Sequence, residues 1–530
     1  MTGTVIRNPV LPGFHPDPSI LRVGDDFYLA TSTFEWYPGV RLHHSRDLAH
    51  WRPLGGALDG THLLDLAGDP DSGGVWAPCL SYADGLFHLV FTDVRSYAGG
   101  FWDVPNFVVT AASIDGPWSD PVPLHARGFD PSLFHDCGPD GDGRSWLVSN
   151  RVDWRPGRPW ANGIIIQEYD RSGRKLVGEP VDIYAGTPVG QTEGPHLYRR
   201  DGWYYLVTAE GGTIWEHQAT VARSRDLFGP YETDPAGPLV TSVHDPGLEL
   251  QKAGHGSLVD TPGGEWFFAH LVGRPLTERG PCILGRETAI QRVTWTDDGW
   301  PRIAGGVPHV TVDGPALPAA PVAPVHDDFR GPALGPQWST LRRPATGDWV
   351  SLETLDGRPG RLRVAGGRSA TARDGASLVG RRVEHFRASF AATVDVAPVS
   401  FQQMAGITAY YNSRNWYLLR VTTDEERQVY CDVLACDRGR VSVHGPRVPV
   451  DGPPRLALAL DHASLTFAVD DASWGPFDAS ILSDEYAREF EHDGQATHWG
   501  FTGMFFGLWA HDWTGGGLPA YFSDATYHGR

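Results

Sequence analysis

The chain has 530 residues, too many for one ordinary core and enough for two or three domains. Its 41% apolar and 20% charged residues are those of a soluble globular protein, and a formal net charge of −20 argues against nucleic acid or an anionic membrane as partner and for a neutral substrate. Five scattered cysteines, Cys79, Cys137, Cys282, Cys431 and Cys436, form no metal-binding CxxC pairs and read as free thiols of a reducing compartment. The start, MTGTVIRNPV, lacks the basic and apolar regions of a secretory signal, and no apolar run approaches the roughly 18 residues of a membrane span, so a cytoplasmic location is expected.

In chain order, Phe14 to Leu21 (FHPDPSIL) introduces a pattern that returns four times. A polar or aromatic lead residue precedes a short apolar strand, a turn with Asp or Gly, and a strand rich in Tyr, Phe, Leu and Val. The lead residues Asp17, Trp76, Asp130, Glu193 and His255 are, by subtraction, 59, 54, 63 and 62 positions apart. The turns GDD, ADG, GDG, RDG and PGG suit hairpins, because Gly and Asp tolerate positive φ. A second signature follows in several repeats, as HHSRDLAHW, AASIDGPWSD and VARSRDLFGPY. This predicts an all-β fold that begins with a five-bladed β-propeller over residues 1–310. The lead residues fall near the start of each innermost strand, so five residues far apart in sequence form one ring around the axis.

Leu284 to Ile303 reads as closing strands of the last blade, and residues 311–325 form a Pro/Ala-rich linker. Beyond it the pattern is two-residue alternation, as in Leu456, Leu458 and Leu460 followed by Leu465, Phe467 and Val469. Residues 326–530 are therefore expected to form a β-sandwich of two antiparallel sheets.

Turn capping accounts for any single aspartate, but not for carboxylates at three equivalent blade positions, because clustered charges repel. Neutral sugars present hydroxyls and apolar faces, and cleaving their linkages takes two carboxyl groups, one protonated to expel the leaving oxygen and one ionised to activate water or attack. Asp17, Asp130 and Glu193 supply such a set beside Trp76.

The strings GFHPDPSI, STFEWYPGV, GGVWAPCLSY, GFDPSLFHD, QTEGPHLY, TAEGGT, HDPGLELQKAGHGSLV and LGRETAIQ resemble the signatures of glycoside hydrolase family 43, most of all its bacterial two-domain β-xylosidases. The likeness runs on from HDDFRGPALGPQW to FTGMFFG, which implies a concanavalin-like jelly roll as the second domain, closing the active-site pocket. The resemblance implies that Asp17 is the general base, Glu193 the general acid and Asp130 the modulator of its proton affinity, with inversion at the anomeric carbon. It makes Arg286 the anchor of the terminal sugar, and Phe34 and Trp76 apolar walls, roles compatible with core packing. His255 matches an axial histidine that faces water or calcium in many relatives; on residue chemistry alone a hydrogen-bonded structural histidine is the alternative. Phe505 matches a phenylalanine that the sandwich inserts over the pocket, although Phe506 adjoins it.

Two departures stand out. PAYF places Tyr521 where relatives carry an aspartate, which leaves a structural Ca2+ in the sandwich to Asp328 and Asp524 at most. Gly194 replaces the usual alanine, a change expected to be harmless. The resemblance implies exo-hydrolysis of β-1,4-xylo-oligosaccharides, with no cofactor needed for the chemistry and with homo-oligomers common among relatives. The alternatives are a mainly α-L-arabinofuranosidase activity or a non-catalytic sugar-binding propeller, which would not need the carboxyl ring.

Overall fold

The structure is a computed structural model and describes residues 4–97, 101–138, 141–155, 158, 160–317, 326–355, 357–490 and 496–530. Five antiparallel sheets follow one another from Ser19 to Arg302, four of them four-stranded and the fourth in chain order carrying a fifth short strand, Val240–Thr241. Blade 1 comprises Ser19–Val23, Asp26–Thr31, Gly39–Ser45 and Arg52–Leu58. Blades 2 to 5 repeat this plan, with innermost strands Gly74–Ala83, Ser132–His135, Glu193–Arg200 and Gly256–Asp260. The hairpin turns have the predicted chemistry: Asp84 and Gly85, and likewise Asp201 and Gly202, sit at positive φ, as a two-residue turn matched to strand twist requires.

The inner strands are stitched into a ring by the serines two residues after three of the lead residues. Ser257 Oγ accepts from Ile20 N at 2.8 Å and Ser19 Oγ accepts from Leu80 N at 3.0 Å, joining blade 5 to 1 and 1 to 2. Ser132 Oγ donates to Pro195 O at 2.6 Å and joins blade 3 to 4. The ends of the propeller meet where Val5–Arg7 pairs with Thr311–Asp313, so the Pro/Ala-rich stretch begins with a strand; residues 318–325 lie outside those described.

The second domain is a sandwich of two eight-stranded antiparallel sheets. In the outer sheet the predicted alternation holds, with Leu456, Leu458, Leu460, Leu465, Phe467 and Val469 all buried toward the sandwich core. The other sheet differs. Its strands Gln403–Asn412 and Asn415–Thr423 are buried along their whole length, because one face covers the sandwich core and the other packs on the propeller. A two-residue strand of the propeller, Trp36–Tyr37, even joins this sheet beside Trp338–Leu341.

A separate core fills the space between the domains, from Phe14, Phe34, Trp36 and Trp76 of the propeller to Leu378, Tyr410, Phe505 and Trp509 of the sandwich. Its polar edge is Arg342, which donates to Asp71 Oδ1 at 2.6 Å and to Asp69 O at 2.8 Å. Asp71 in turn accepts from Ser413. Among the described residues no helix is long and apolar enough to cross a membrane.

Phe505 is fully buried and stacks on Trp36 with ring centroids 3.9 Å apart and planes 11° from parallel. Truncating it leaves a cavity between the domains, and Phe505→Ala is expected to cost about 3–5 kcal/mol. A denaturant titration checks this; an unchanged unfolding midpoint contradicts the packing role.

Candidate active site

All five lead residues, Asp17, Trp76, Asp130, Glu193 and His255, line one cavity of about 180 Å³, with Phe34 and Arg286 beside them. The repeat explains this convergence, since Asp17, Asp130, Glu193 and His255 stand at or just before the start of an innermost strand and Trp76 two residues into one. Asp17 and Asp130 share a further feature, φ values of +55° and +52°, immediately before a proline. That left-handed conformation is tolerated by Asp but disfavoured before proline, at a cost of order 1–3 kcal/mol. Its recurrence in two blades marks a backbone held for its side chain's direction.

The carboxyls are all nearly buried, and their neighbours divide them into opposite states. Burial opposes charge on Asp17, but Arg286 Nη1 at 3.0 Å, His255 Nδ1 at 3.5 Å and Ser32 Oγ at 2.7 Å outweigh it and hold the group well below the usual carboxylate range. Glu193 accepts no such donor; burial, then the negative charge of Asp17, push it up to about 8. Asp130 is likewise raised well above its ordinary value by burial and by Glu193 and Asp17, against one hydrogen bond from Gly194 N at 3.1 Å. At neutral pH the cavity therefore holds an ionised carboxylate and a protonated carboxyl, the two states that general acid–base chemistry requires.

The walls are aromatic. Trp76 lies within 6.0 Å, centroid to centroid, of Phe34, Trp102, Phe129 and Phe501, and its Nε1 donates to Ser72 O at 2.9 Å, which fixes the indole. Trp102, Phe129 and Trp160 stack on one another toward the opening, with interplanar angles of 18–28°. Arg488, Phe490, Trp499 and Phe501 complete the lining from the sandwich.

The sandwich contribution corrects the sequence reading. Phe505 does not reach the pocket: it opens the strand Phe505–Asp512 with its ring in the interdomain core, while Phe506 points into the sandwich core. The aromatic ring that enters the cavity from this segment is Phe501, four residues earlier, in a loop before the strand. Gly500 and Gly503 carry it there, since a Cβ on either would meet the carbonyl oxygens of Asp484 at 2.1 Å or Leu284 at 2.6 Å. The pattern Gly-Phe-Thr-Gly was the available sign, a ring flanked by residues able to approach another backbone. Trp102, Phe129, Trp160 and Gln191 were also missed, because a ring on a blade loop looks like any other packed aromatic.

Gly194 also departs from expectation. It has φ +58°, and a Cβ there would lie 2.6 Å from Cδ2 and Nε2 of His255. Here the histidine occupies the space a methyl would need, so alanine is not an innocent replacement. The surroundings of His255 do not make a calcium site, which takes six to eight oxygens. Its neighbours are His196 and His217, whose Nε2 accepts from His255 N at 2.8 Å, and Asp17 is engaged by Arg286. Nor do the sandwich candidates form one: Asp328 and Asp524 are exposed, and among the described residues no three His, Cys, Asp or Glu side chains gather as a metal-holding group.

Comparison with known proteins agrees with this geometry. Residues 6–301 match the profile of glycosyl hydrolases family 43, and residues 326–528 match that of the β-xylosidase C-terminal concanavalin A-like domain. The chain is 44% identical to a xylosidase/arabinosidase 43B of Humicola insolens, over 98% of this chain and 97% of that one. It is 42% identical to a β-xylosidase of Bacillus subtilis, over 98% and 99%. The crystal structure of a xylan β-1,4-xylosidase from Bacillus halodurans superposes with a TM-score of 0.92 at 48% identity, covering 98% of this chain and 99% of that one. With a matched catalytic-domain profile over more than half its length and full-length relatives well above 30% identity, the chain belongs to glycosyl hydrolases family 43.

Proposed function

We propose that the protein removes terminal β-1,4-linked xylose from xylo-oligosaccharides with inversion, Asp17 acting as general base and Glu193 as general acid. The observation that carries this reading is the opposed protonation of two buried carboxyls in one cavity. Asp17, held ionised by Arg286, is ready to take a proton from the attacking water. Glu193, raised to about 8, keeps the proton that the leaving oxygen needs. Asp130, itself raised by burial and by Glu193 and Asp17, is assigned as the modulator of the acid and remains available to orient the sugar.

The cavity supports exo action. At about 180 Å³ it is smaller than the ~300–1,000 Å³ of pockets for drug-sized ligands, and the sandwich loop around Phe501 walls it in, which favours one ring over a continuous chain. Phe34 and Trp76 offer apolar faces to the C–H face of the sugar. The chemistry calls for no metal or organic cofactor. Five unpaired cysteines suit a reducing compartment, and thus oligosaccharides already inside the cell. A second substrate is favoured by the printed activity of the Humicola relative, a xylosidase/arabinosidase, so α-L-arabinofuranosides belong in the same assay.

Asp17→Ala and Glu193→Ala are each expected to lower kcat on xylobiose by at least about 10²–10⁴-fold, with proton NMR of the wild-type reaction showing α-xylose first; wild-type rates in both variants, or β-xylose as first product, contradicts the assignment. Because Glu193 must be protonated, kcat/KM is expected to fall on the alkaline side with an apparent pKa of about 8, read from a pH–rate profile. Gly194→Ala is expected to displace His255 from Asp17 and lower kcat/KM about 10–100-fold, as small misplacements near reacting groups do; wild-type kinetics in this variant would show that the ring yields without consequence.

A further inference from the structure

Trp499 and Phe501 bring two of the aromatic rings that line the sugar cavity, and a serine of the propeller holds the loop that carries them. Ser72 lies four residues before Trp76, between blades 1 and 2, and is fully buried. Its Oγ donates to Trp499 O at 3.0 Å and accepts from Phe501 N at 3.1 Å, which uses the hydroxyl as donor and acceptor at once. Its carbonyl accepts from Trp76 Nε1 at 2.9 Å, and its N donates to Glu35 Oε2 at 3.1 Å. One residue therefore contacts the indole that walls the cavity from the propeller and the loop that walls it from the sandwich, 427 and 429 positions away.

The hydroxyl is presented by a backbone under strain. Ser72 has φ +59°, the left-handed region also used by Asp17 and Asp130, at a cost of order 1–3 kcal/mol. The residues before it are fastened from several directions: Asp69 O and Asp71 Oδ1 accept from Arg342, Asp71 Oδ2 accepts from Ser413 Oγ, and Asp71 O accepts from Tyr97 Oη at 2.6 Å. A strained turn held by both domains thus delivers one oxygen to the gap between Trp499 O and Phe501 N.

Phe501 is gripped on both sides of its Cα, at N by Ser72 and at its carbonyl by Arg286 Nη2 at 3.1 Å. The two grips differ in kind. Arg286 also pairs with Asp17, so disturbing it disturbs the base, whereas the bonds of Ser72 go to the walls and to Glu35. The Phe501 ring, with Trp499 stacked on it at 5.0 Å, then stands 5.5 Å from the ring of Trp76.

We infer that Ser72 is a positioning residue for the terminal sugar: its hydroxyl latches the sandwich loop to the propeller and fixes Phe501, with Trp499 behind it, against Trp76. The inference rests on the reading of this cavity as a sugar pocket. Apolar walls act on the bound substrate and on the transition state alike, so loss of the latch raises KM and spares kcat.

The test compares the wild type with Ser72→Ala and Ser72→Gly. Both variants lose the hydroxyl, and glycine, at ease with positive φ, supplies a folded variant should alanine not give one. Amide hydrogen exchange read by mass spectrometry is expected to quicken at least about tenfold over residues 499–501 and to stay as in the wild type over the interdomain strand Gln403–Asn412. On nitrophenyl β-xyloside and α-arabinofuranoside, KM is expected to rise about 5–20-fold, the scale of one lost hydrogen bond, with kcat within about threefold. Unchanged exchange over residues 499–501, equal quickening in Gln403–Asn412, or kinetics without a rise in KM overturns the inference. Turnover of neither glycoside by the wild type contradicts the sugar reading alone, and the exchange comparison still decides the latch.

Discussion

The arrangement depends most on one buried guanidinium, that of Arg286. It is 2% exposed and spends its donors on two domains, Nη1 on Asp17 Oδ1 at 3.0 Å and Nη2 on Phe501 O at 3.1 Å. The first bond keeps Asp17 ionised in a site that would otherwise neutralise it, and the second holds the sandwich loop over the cavity. Glycines on both sides permit the approach. A Cβ on Gly285 would meet Thr502 O at 2.1 Å, and one on Gly503 would meet Leu284 O at 2.6 Å. Met504 N then donates to Ile283 O at 3.1 Å, so the contact is backbone against backbone and leaves little freedom between Asp17 and the loop over the cavity. Removing either partner of such a pair leaves an uncompensated charge in the interior, which is why the ion pair and the closed pocket stand or fall together.

The same logic extends across the interface. A sandwich sheet with one face in water needs only alternating apolar residues, whereas this one is covered on both faces and accepts a propeller strand, Trp36–Tyr37, at its edge. Trp36 belongs to the same short segment as Phe34, so packing that welds the domains also sets one wall of the cavity. The second domain is thus a structural part of the site.

That continuity decides what could be read from the amino-acid sequence. The propeller was legible because its unit recurs near every 60 residues, and the carboxyl ring because the lead residue keeps one place in each unit. The outer sandwich sheet was legible from Leu456 to Val469, where one face meets solvent. Gln403–Asn412 was legible as a strand from AGITAYY and the turn after it, but its burial along its whole length, and so the propeller on its second face, was not. Phe501, Trp499 and Phe490 share a cavity with Asp17 across more than 400 positions with no repeat to signal it, and Phe505, singled out by the resemblance, belongs with Phe506 to a strand whose alternation sends the two rings to different cores. Gly194 stood out as a departure, but the neighbour that crowds a Cβ there, His255, is a residue of another blade and gave no local sign.

The ring also resolves an apparent conflict between a strongly acidic chain and a site for a neutral ligand. Of its three carboxyls, Asp17 is held ionised, Glu193 is raised to about 8 by burial and the charge of Asp17, and Asp130 is raised well above its ordinary value by burial, Glu193 and Asp17. Arg286 pairs with the charge of Asp17, so that carboxylate is not an uncompensated anion although the chain carries −20. The cavity, which Arg488 also lines, is walled by Phe34, Trp76 and Phe501. It can desolvate a sugar's apolar face against these rings, with the ionised carboxylate already paired. The asymmetry that suits general acid–base chemistry, one carboxyl charged and one not, has one origin: Arg286 is ion-paired with Asp17 at 3.0 Å and acts on the other two carboxyls only from a distance.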